Sequence, residues 1–295
     1  MPSATVSTRQ GPLELEYETF GEGAPLLLIM GIGAQMLMWN EGLVAELVGR
    51  GFRVIRFDNR DVGLSGKVTG RAGDLRALMA RRLAGLAVEA PYTLSEMAAD
   101  CVGLLDHLGL ARAHVLGMSM GGMIAQTMAL EHPQRVATLT SVMSSTGARR
   151  DLLPKPQALA ALLRRAPSNR EEAIAGAVEF FRVCGGSTHA PDWDFVRDVA
   201  GRSYERAFHP AGFMRQFAAI LASGSRRDAL GSVRVPTTVI HGLEDPLILP
   251  HAGEATAACI RGARFVPVPG MGHDLPKSTW ALLGDELERL RARAA

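Results

Sequence analysis

The 295-residue sequence has little cysteine, almost no net charge and no long uninterrupted hydrophobic run. Its three cysteines, Cys101, Cys184 and Cys259, are scattered and form no C-x-x-C pair, which argues against a disulfide framework or a zinc site. The formal net charge of +2 gives no indication of a nucleic-acid or membrane-surface partner. With 47% hydrophobic and 21% charged residues, the composition is that of a globular protein with a sizeable core.

Targeting and membrane-spanning signals are also missing from the sequence. Residues 1–10 are polar and lack the apolar core of a signal peptide. The apolar stretch from Leu26 to Trp39 is interrupted by Gly31 and Gly33 and is too short to cross a membrane. We therefore expect a cytoplasmic protein without a membrane partner.

Strand-like and helix-like patterns alternate along most of the chain. The predicted strands are Leu13–Phe20, Leu26–Met30, Phe52–Phe57, Ala113–Leu116, Val136–Val142, Val235–His241 and Arg264–Val268. The predicted helices between and after them are Met36–Gly49, Asp74–Val88, Thr93–Leu108, Met120–Glu131 and Trp280–Arg293. This alternation predicts an α/β fold with a mostly parallel sheet and helices on both faces. In such sheets, ligands bind beyond the carboxyl ends of the strands.

Residues 144–231 depart from this alternation because they contain helical patterns and no strand pattern. The predicted helices there are Gln157–Arg165, Arg170–Val183, Asp194–Arg206 and Ala211–Ser223. We interpret residues 144–231 as a helical cap, inserted into an α/β core formed by residues 1–143 and 232–295.

A G-x-S-x-G motif with Ser119 at its centre lies between a predicted strand and a predicted helix. A serine at such a turn sits on a strained backbone that exposes its hydroxyl. Gly117 and Gly121 are needed because side chains at these positions would collide across the bend. The N-terminus of the following helix points at Ser119 and favours negative charge that develops there. Because a G-x-S-x-G motif can also occur by chance, the interpretation of Ser119 as a nucleophile rests on the strand before it and the helix after it.

A serine hydroxyl is a weak nucleophile at neutral pH and needs a base, which in turn needs an orienting group. Asp245 lies just past the predicted strand that ends at His241, and His273 lies past the last predicted strand. The chain order serine, aspartate, histidine is the one expected for a serine at this kind of elbow. We therefore predict a catalytic triad of Ser119, His273 and Asp245.

Other residues are alternatives for the acid and the base. Glu244 adjoins Asp245 and is a second candidate for the acid, while His251 is a second candidate imidazole. We discount His114, because it precedes the elbow on the same strand. His241, at a strand end, is interpreted as structural.

With these pieces in place, the chain resembles the α/β-hydrolase superfamily along nearly its full length. The matching segments are 30–33, 58–65, 117–122, 241–246 and 270–273. Within the superfamily it is similar to the aclacinomycin methylesterase-like serine esterases, through residues 17–21 and the Met30-Gly31 loop. Many members have His-Gly at that loop, so a histidine-supported oxyanion loop is absent here. A serine at the elbow argues against haloalkane dehalogenases and epoxide hydrolases.

The expected activity is cleavage of a carboxylic ester, including a methyl ester, by acyl transfer. Ser119 would attack the carbonyl, His273 would move the proton, and Asp245 would fix the imidazole tautomer. The resemblance places the oxyanion donors at the backbone N–H groups of Met120 and Ile32. No metal or organic cofactor is required. The expected partner is a small-molecule ester, and the sequence leaves open whether the chain forms a homo-oligomer.

Two alternatives to an esterase fit the same residues. The same acyl-enzyme could serve a lactonase, a thioesterase, a perhydrolase or an acyltransferase. A binding or receptor protein on the same fold, with little or no turnover, is the alternative from a different class.

Overall fold

The computed structural model describes residues 2–294, in which eight strands form one sheet in the order β1-β2-β4-β3-β5-β6-β7-β8. The strands are β1 (Ser3–Thr8), β2 (Gly11–Phe20), β3 (Ala24–Ile29), β4 (Phe52–Phe57), β5 (Ala113–Met118), β6 (Val136–Val142), β7 (Thr237–Gly242) and β8 (Arg264–Val268). The pairs β1·β2 and β2·β4 are antiparallel, and every neighbouring pair from β4 to β8 is parallel. The predicted α/β class with a mostly parallel sheet is confirmed.

Ten α-helices are described between residues 2 and 294. They are α1 (Glu41–Gly49), α2 (Leu75–Leu83), α3 (Leu94–His107), α4 (Met120–Glu131), α5 (Pro156–Leu162), α6 (Arg170–Cys184), α7 (Trp193–Arg206), α8 (Pro210–Ser223), α9 (Pro250–Cys259) and α10 (Trp280–Ala294). Short 3-10 helices occur at Met36–Met38, Pro133–Arg135, Arg149–Leu152, Ala229–Ser232 and Lys277–Thr279. None of the helices between residues 2 and 294 is long and apolar enough to cross a membrane.

The sheet is buried on both faces, as the alternation of side chains along β3 shows. Leu26 and Leu28 belong to one apolar cluster, together with side chains of α1 and α10. Leu27 and Ile29 point to the opposite face and join a second cluster with side chains of α3 and α4. Because successive side chains of a strand point to opposite faces, a continuous apolar run suits a strand with helices on both sides.

The predicted helix Met36–Gly49 is wrong over its first five residues. A single 3-10 turn, Met36–Met38, is followed by extended backbone at Trp39, and α1 begins only at Glu41. Asn40 causes the new start, because its side-chain oxygen accepts the Gly42 N–H at 2.8 Å. A helix start needs an acceptor for its unpaired N–H groups, and asparagine is among the preferred residues at that position.

Two elements were missed by the sequence analysis. The first is β1, whose alternating buried residues Ala4 and Val6 lie within the polar segment 1–10. It pairs antiparallel with β2 and forms the edge of the sheet. The second is α9, which has small residues on its buried face and begins at Pro250, since proline is well suited to the first turn of a helix.

Residues 144–231 contain four of the described α-helices, α5 to α8, and no strand in the part of the chain described. They lie between β6 and β7, two neighbouring parallel strands of the sheet. The division into an α/β core and a cap stays a prediction at this point.

Candidate active site

Ser119 occupies a strained backbone position between β5 and α4. Its φ of 56° and ψ of −119° are unusual for a residue with a side chain. A Cβ on Gly117 would overlap the carbonyl oxygen of Gly121, and a Cβ on Gly121 would overlap that of Ile29. The glycines predicted from the motif are therefore required by the close approach of backbone segments around the turn.

The structure brings Ser119, His273 and Asp245 into one hydrogen-bonded row. The Nε2 atom of His273 lies 3.1 Å from Oγ of Ser119, and its Nδ1 atom lies 2.7 Å from Oδ2 of Asp245. All three side chains are buried. They follow β5, β7 and β8, and each therefore lies beyond the carboxyl end of a parallel strand. A proton on Nδ1 can be donated to Asp245, which leaves Nε2 free to accept the Ser119 proton.

Asp245 is held in place by its own turn. Its Oδ1 atom accepts the backbone N–H groups of Leu247 and Ile248, at 2.8 and 2.9 Å. This leaves Oδ2 to contact the imidazole of His273. Burial opposes ionisation of Asp245, but the charge of His273 and the hydrogen bonds outweigh it and lower the pKa of this carboxyl to about 2. Asp245 is therefore a carboxylate throughout the neutral pH range.

His241 is a second imidazole in contact with the acid. It is fully buried, with Nε2 2.7 Å from the carbonyl oxygen of Ile248 and 3.3 Å from Oδ2 of Asp245. These contacts agree with the interpretation of His241 as a structural residue. Its side chain holds the turn that carries Asp245, and it makes no hydrogen bond with Ser119. Its contribution to the low pKa of Asp245 was not foreseen from the sequence.

The alternative acid and bases lie elsewhere. Glu244 is exposed and accepts hydrogen bonds from the backbone N–H and the hydroxyl of Ser187, each at 2.7 Å. His114 contacts the hydroxyl of Thr138 within the sheet, and burial lowers its pKa to about 4. His251 lies 3.8 Å from Asp151, with half of its side chain exposed. The geometry therefore favours Asp245 and His273 among the candidates.

Ile32 and Met120, whose amides are the predicted oxyanion donors, both line the cavity that contains Ser119. Met120 is the first residue of α4, so its N–H has no acceptor within the helix. Ile32 follows Gly31, where an added Cβ would lie only 3.3 Å from Cβ of Ser119. The N–H of Gly33, an alternative donor, is already used, because it donates to Oε1 of Gln216 at 2.8 Å.

A mostly apolar cavity of about 100 Å³ contains Ser119. Helices α5 and α8 contribute Leu159, Leu162 and Phe217 to its lining, and both Ile32 and Met120 line it as well. Asp151 is the one carboxylate among the lining residues, and its Oδ1 atom is buried without a hydrogen-bond partner in the described chain. Apolar walls with few polar groups are typical of a small-molecule site.

Asp274, directly after His273, is a residue that the sequence analysis missed. It is 3% exposed, and no side chain among residues 2–294 pairs with either carboxylate oxygen. Burial raises its pKa to about 6, although the charge of His273 and the backbone N–H groups of Gly272 and Asp274 act in the opposite direction. Its place next to the predicted base His273 was the one signal in the sequence. Its burial could not be predicted, because distant segments of the chain cause it.

We expect Asp274→Asn to stabilise the fold at neutral pH. Because the folded-state pKa lies above the unfolded value, stability falls as pH rises from about 4 to about 6 and stays lower above that range. Removing the buried charge should raise the free energy of unfolding at pH 7.5 by about 1–3 kcal/mol. Thermal and urea unfolding at pH 7.5 and pH 4 would measure it, and the gain should vanish at pH 4. Exposed Asp228, changed to asparagine, is the control, and an equal gain there would contradict the argument.

The described residues contain no cluster of three or more histidine, cysteine, aspartate or glutamate side chains that could hold a metal ion. The cysteines are unpaired thiols: Cys101 and Cys184 are buried, and Cys259 is half-buried.

A comparison of the sequence with protein families gives the same fold as the structure. The model of the alpha/beta hydrolase fold family matches residues 24–277, and the chain belongs to this family. The predicted resemblance is thereby confirmed.

Relatives of known name extend over nearly the whole chain. The rhodomycin D methylesterase DnrP of Streptomyces peucetius is 31% identical over 298 residues, covering 94% of this chain and 93% of its own. The putative carbamate hydrolase RutD of Azorhizobium caulinodans is 28% identical and covers 89% of both chains. Among solved structures, an esterase from Thermogutta terrifontis has a TM-score of 0.73 at 24% identity, covering 98% of this chain and 99% of its own. At that identity the likeness speaks for the fold alone.

Proposed function

We propose that this protein is a serine ester hydrolase that works through an acyl-enzyme on Ser119. The observation that carries the proposal is the contact of Ser119 Oγ with His273 Nε2 at 3.1 Å, on a backbone turn that holds the serine in a strained conformation. Nucleophile, base and orienting acid in one row are what a serine hydrolase requires. Membership of the alpha/beta hydrolase fold family supports the same conclusion.

The reaction begins with attack of Ser119 Oγ on the ester carbonyl carbon, while its proton passes to Nε2 of His273. Asp245, ionised at neutral pH, stabilises the imidazolium that forms and keeps the other proton on Nδ1. His273 then gives the proton to the departing alcohol oxygen. Water attacks the acyl-enzyme by the same route in reverse, with His273 as base, and releases the carboxylic acid.

The substrate class is a carboxylic ester with an apolar acyl group. The apolar lining of the Ser119 cavity supports this, and Leu159, Leu162 and Phe217 belong to that lining. We further propose that residues 144–231 act as a cap that shapes this cavity, because α5 and α8 lie in that interval. The methylesterase among the relatives makes methyl esters the first alcohol portion to test.

We expect the oxyanion to be held by the backbone N–H groups of Ile32 and Met120. Ile32→Pro removes one donor and should lower kcat about a hundredfold or more. Ile32→Val keeps the amide and should stay within about tenfold, a change of about 1.4 kcal/mol. Steady-state kinetics on an aryl ester would measure both, with circular dichroism as the folding control, because proline also restricts Gly31. A folded Ile32→Pro protein with unchanged kcat would contradict this assignment.

The proposed function is tested by turnover and covalent labelling together. The purified chain should hydrolyse p-nitrophenyl and methyl esters of short to medium acids, and a fluorophosphonate should label it at Ser119. Stoichiometric labelling without turnover of any ester, thioester or lactone would indicate a binding protein instead. Preference for lactones or thioesters over esters would assign the same acyl-enzyme to another reaction.

A further inference from the structure

A second cavity, of about 60 Å³, shares no lining residue with the Ser119 cavity. Its walls include Met118 and Asp274, which are the chain neighbours of Ser119 and His273. Met30, two residues before Ile32, also lines it. The cavity thus adjoins the proposed active site at three different segments of the chain, yet the acyl-transfer chemistry makes no use of it.

Asp274 is the polar group that distinguishes this cavity. Its side chain is 3% exposed, and no side chain of the described residues pairs with either carboxylate oxygen; the nearby backbone N–H groups of Gly272 and Asp274 lower its pKa only in part. Exposed Lys277 also lines the cavity but is not within hydrogen-bond distance of Asp274. A buried carboxylate without a partner costs free energy, and an occupant that donates hydrogen bonds and carries positive charge would offset that cost.

The remaining walls favour an organic cation over a metal ion. Four aromatic side chains line the cavity: Trp39, Phe181, Phe195 and Trp280. Aromatic faces attract ammonium groups, and most strongly where water is excluded. Other than Asp274, the only carboxylate among the lining residues is Asp192, which is exposed and has one oxygen bonded to the Phe195 N–H at 3.0 Å. A hard divalent cation would need several oxygen ligands, which these walls do not supply.

We propose that this cavity is a subsite for an ammonium group carried by the leaving alcohol of the substrate. The inference rests on the ester-hydrolase proposal. The acyl group is assigned to the cavity that contains Ser119, Met120 and Ile32, whereas Asp274 lies beside the histidine that returns the proton to the alcohol. An amino-alkyl ester would place its positive charge against Asp274 and the aromatic rings. The raised pKa of Asp274 fits a carboxyl group that becomes fully ionised when such a partner enters.

Direct binding tests the site without any dependence on catalysis. The probes are propylammonium chloride and its neutral counterpart 1-propanol at constant ionic strength. They are followed by calorimetry and by tryptophan fluorescence, since Trp39 and Trp280 line the cavity. Propylammonium should bind at least tenfold more tightly than 1-propanol to the wild type, and Asp274→Asn should abolish that preference. Asp192→Asn is the matched control and should change the affinity less than threefold.

Kinetics on a matched pair of esters tests the role in substrate selection. The 3-(dimethylamino)propyl and 4-methylpentyl esters of butanoic acid have nearly the same shape and differ in charge. Because the amine is tertiary, it cannot react with the acyl group to form an amide. The ratio of kcat/KM should favour the cationic ester at least tenfold in the wild type, and Asp274→Asn should bring it near one. Asp192→Asn should keep the preference.

Each outcome decides one part of the proposal. Equal affinity for propylammonium and 1-propanol would mean that the cavity does not select for positive charge, and the proposal would be wrong. Binding that depends on Asp274, together with an ester ratio that does not, would overturn the role in substrate selection. Binding that depends on Asp274, with neither ester hydrolysed, would support the ammonium site and would instead contradict the ester-hydrolase proposal.

Discussion

Ser119→Ala should lower kcat/KM for ester hydrolysis by about four to six orders of magnitude. The hydroxyl that forms the acyl-enzyme is lost, and what remains is stabilisation of the oxyanion by backbone N–H groups and binding of the substrate. His273→Ala should cost about as much, because Ser119 Oγ then has no base within reach at 3.1 Å. Steady-state kinetics with a p-nitrophenyl ester would measure both losses. Fluorophosphonate labelling should fail in Ser119→Ala.

A double variant tests whether Ser119 and His273 act together as one catalytic unit or contribute to the rate independently. Ser119→Ala combined with His273→Ala should be no less active than either single variant, because the two groups act as one unit. Losses that add would contradict the mechanism. Met118→Leu, next to the nucleophile, controls for general damage to the turn and should stay within about tenfold, provided that its thermal unfolding is unchanged.

The strained turn at Ser119 was predictable because its geometry is determined within a few residues. The turn at Ser119 forces Gly117 and Gly121 so close to other backbone that only glycine fits, and this requirement is visible in the motif. Strand β3 was also predictable from a local pattern, because a strand covered on both faces has no polar side and therefore reads as a continuous apolar run. Such features need no knowledge of distant residues.

The different surroundings of the two candidate acids depend on contacts that the sequence does not reveal. Glu244 and Asp245 are adjacent, and both follow the same strand. The structure separates them because the turn directs Asp245 inward to the N–H groups of Leu247 and Ile248, while Glu244 points outward to Ser187. Ser187 lies 57 residues away in sequence, so no local pattern could reveal that contact.

The same limit applies to the segment 58–65, which carried part of the family resemblance. In the structure, Asp58 is paired with Arg206 of α7, and Asp61 is paired with Arg215 of α8, at 2.8 Å. Both aspartates are buried, so each pair joins a helix of the 144–231 interval to the loop after β4. The motif was recognisable in the sequence, but its role as an anchor depends on partners about 150 residues away.

Asp245→Asn should lower kcat by about three to four orders of magnitude while the fold is retained. The reason lies in the two N–H groups of Leu247 and Ile248, which hold Oδ1 at 2.8 and 2.9 Å. An asparagine would keep its carbonyl oxygen on those donors and turn its NH₂ group toward Nδ1 of His273. The imidazole would then carry its proton on Nε2, where it cannot accept the proton of Ser119.

The neighbouring Glu244→Gln is the matched control for this experiment. It removes the same charge one residue away, on a side chain that contacts Ser187 at the surface, and kcat should stay within about threefold. Thermal unfolding of both variants would establish that the turn is intact. Full activity in Asp245→Asn together with loss in Glu244→Gln would exchange the two assignments. A loss in both would mean that the turn as a whole positions His273, and that the charge at Asp245 does not act alone.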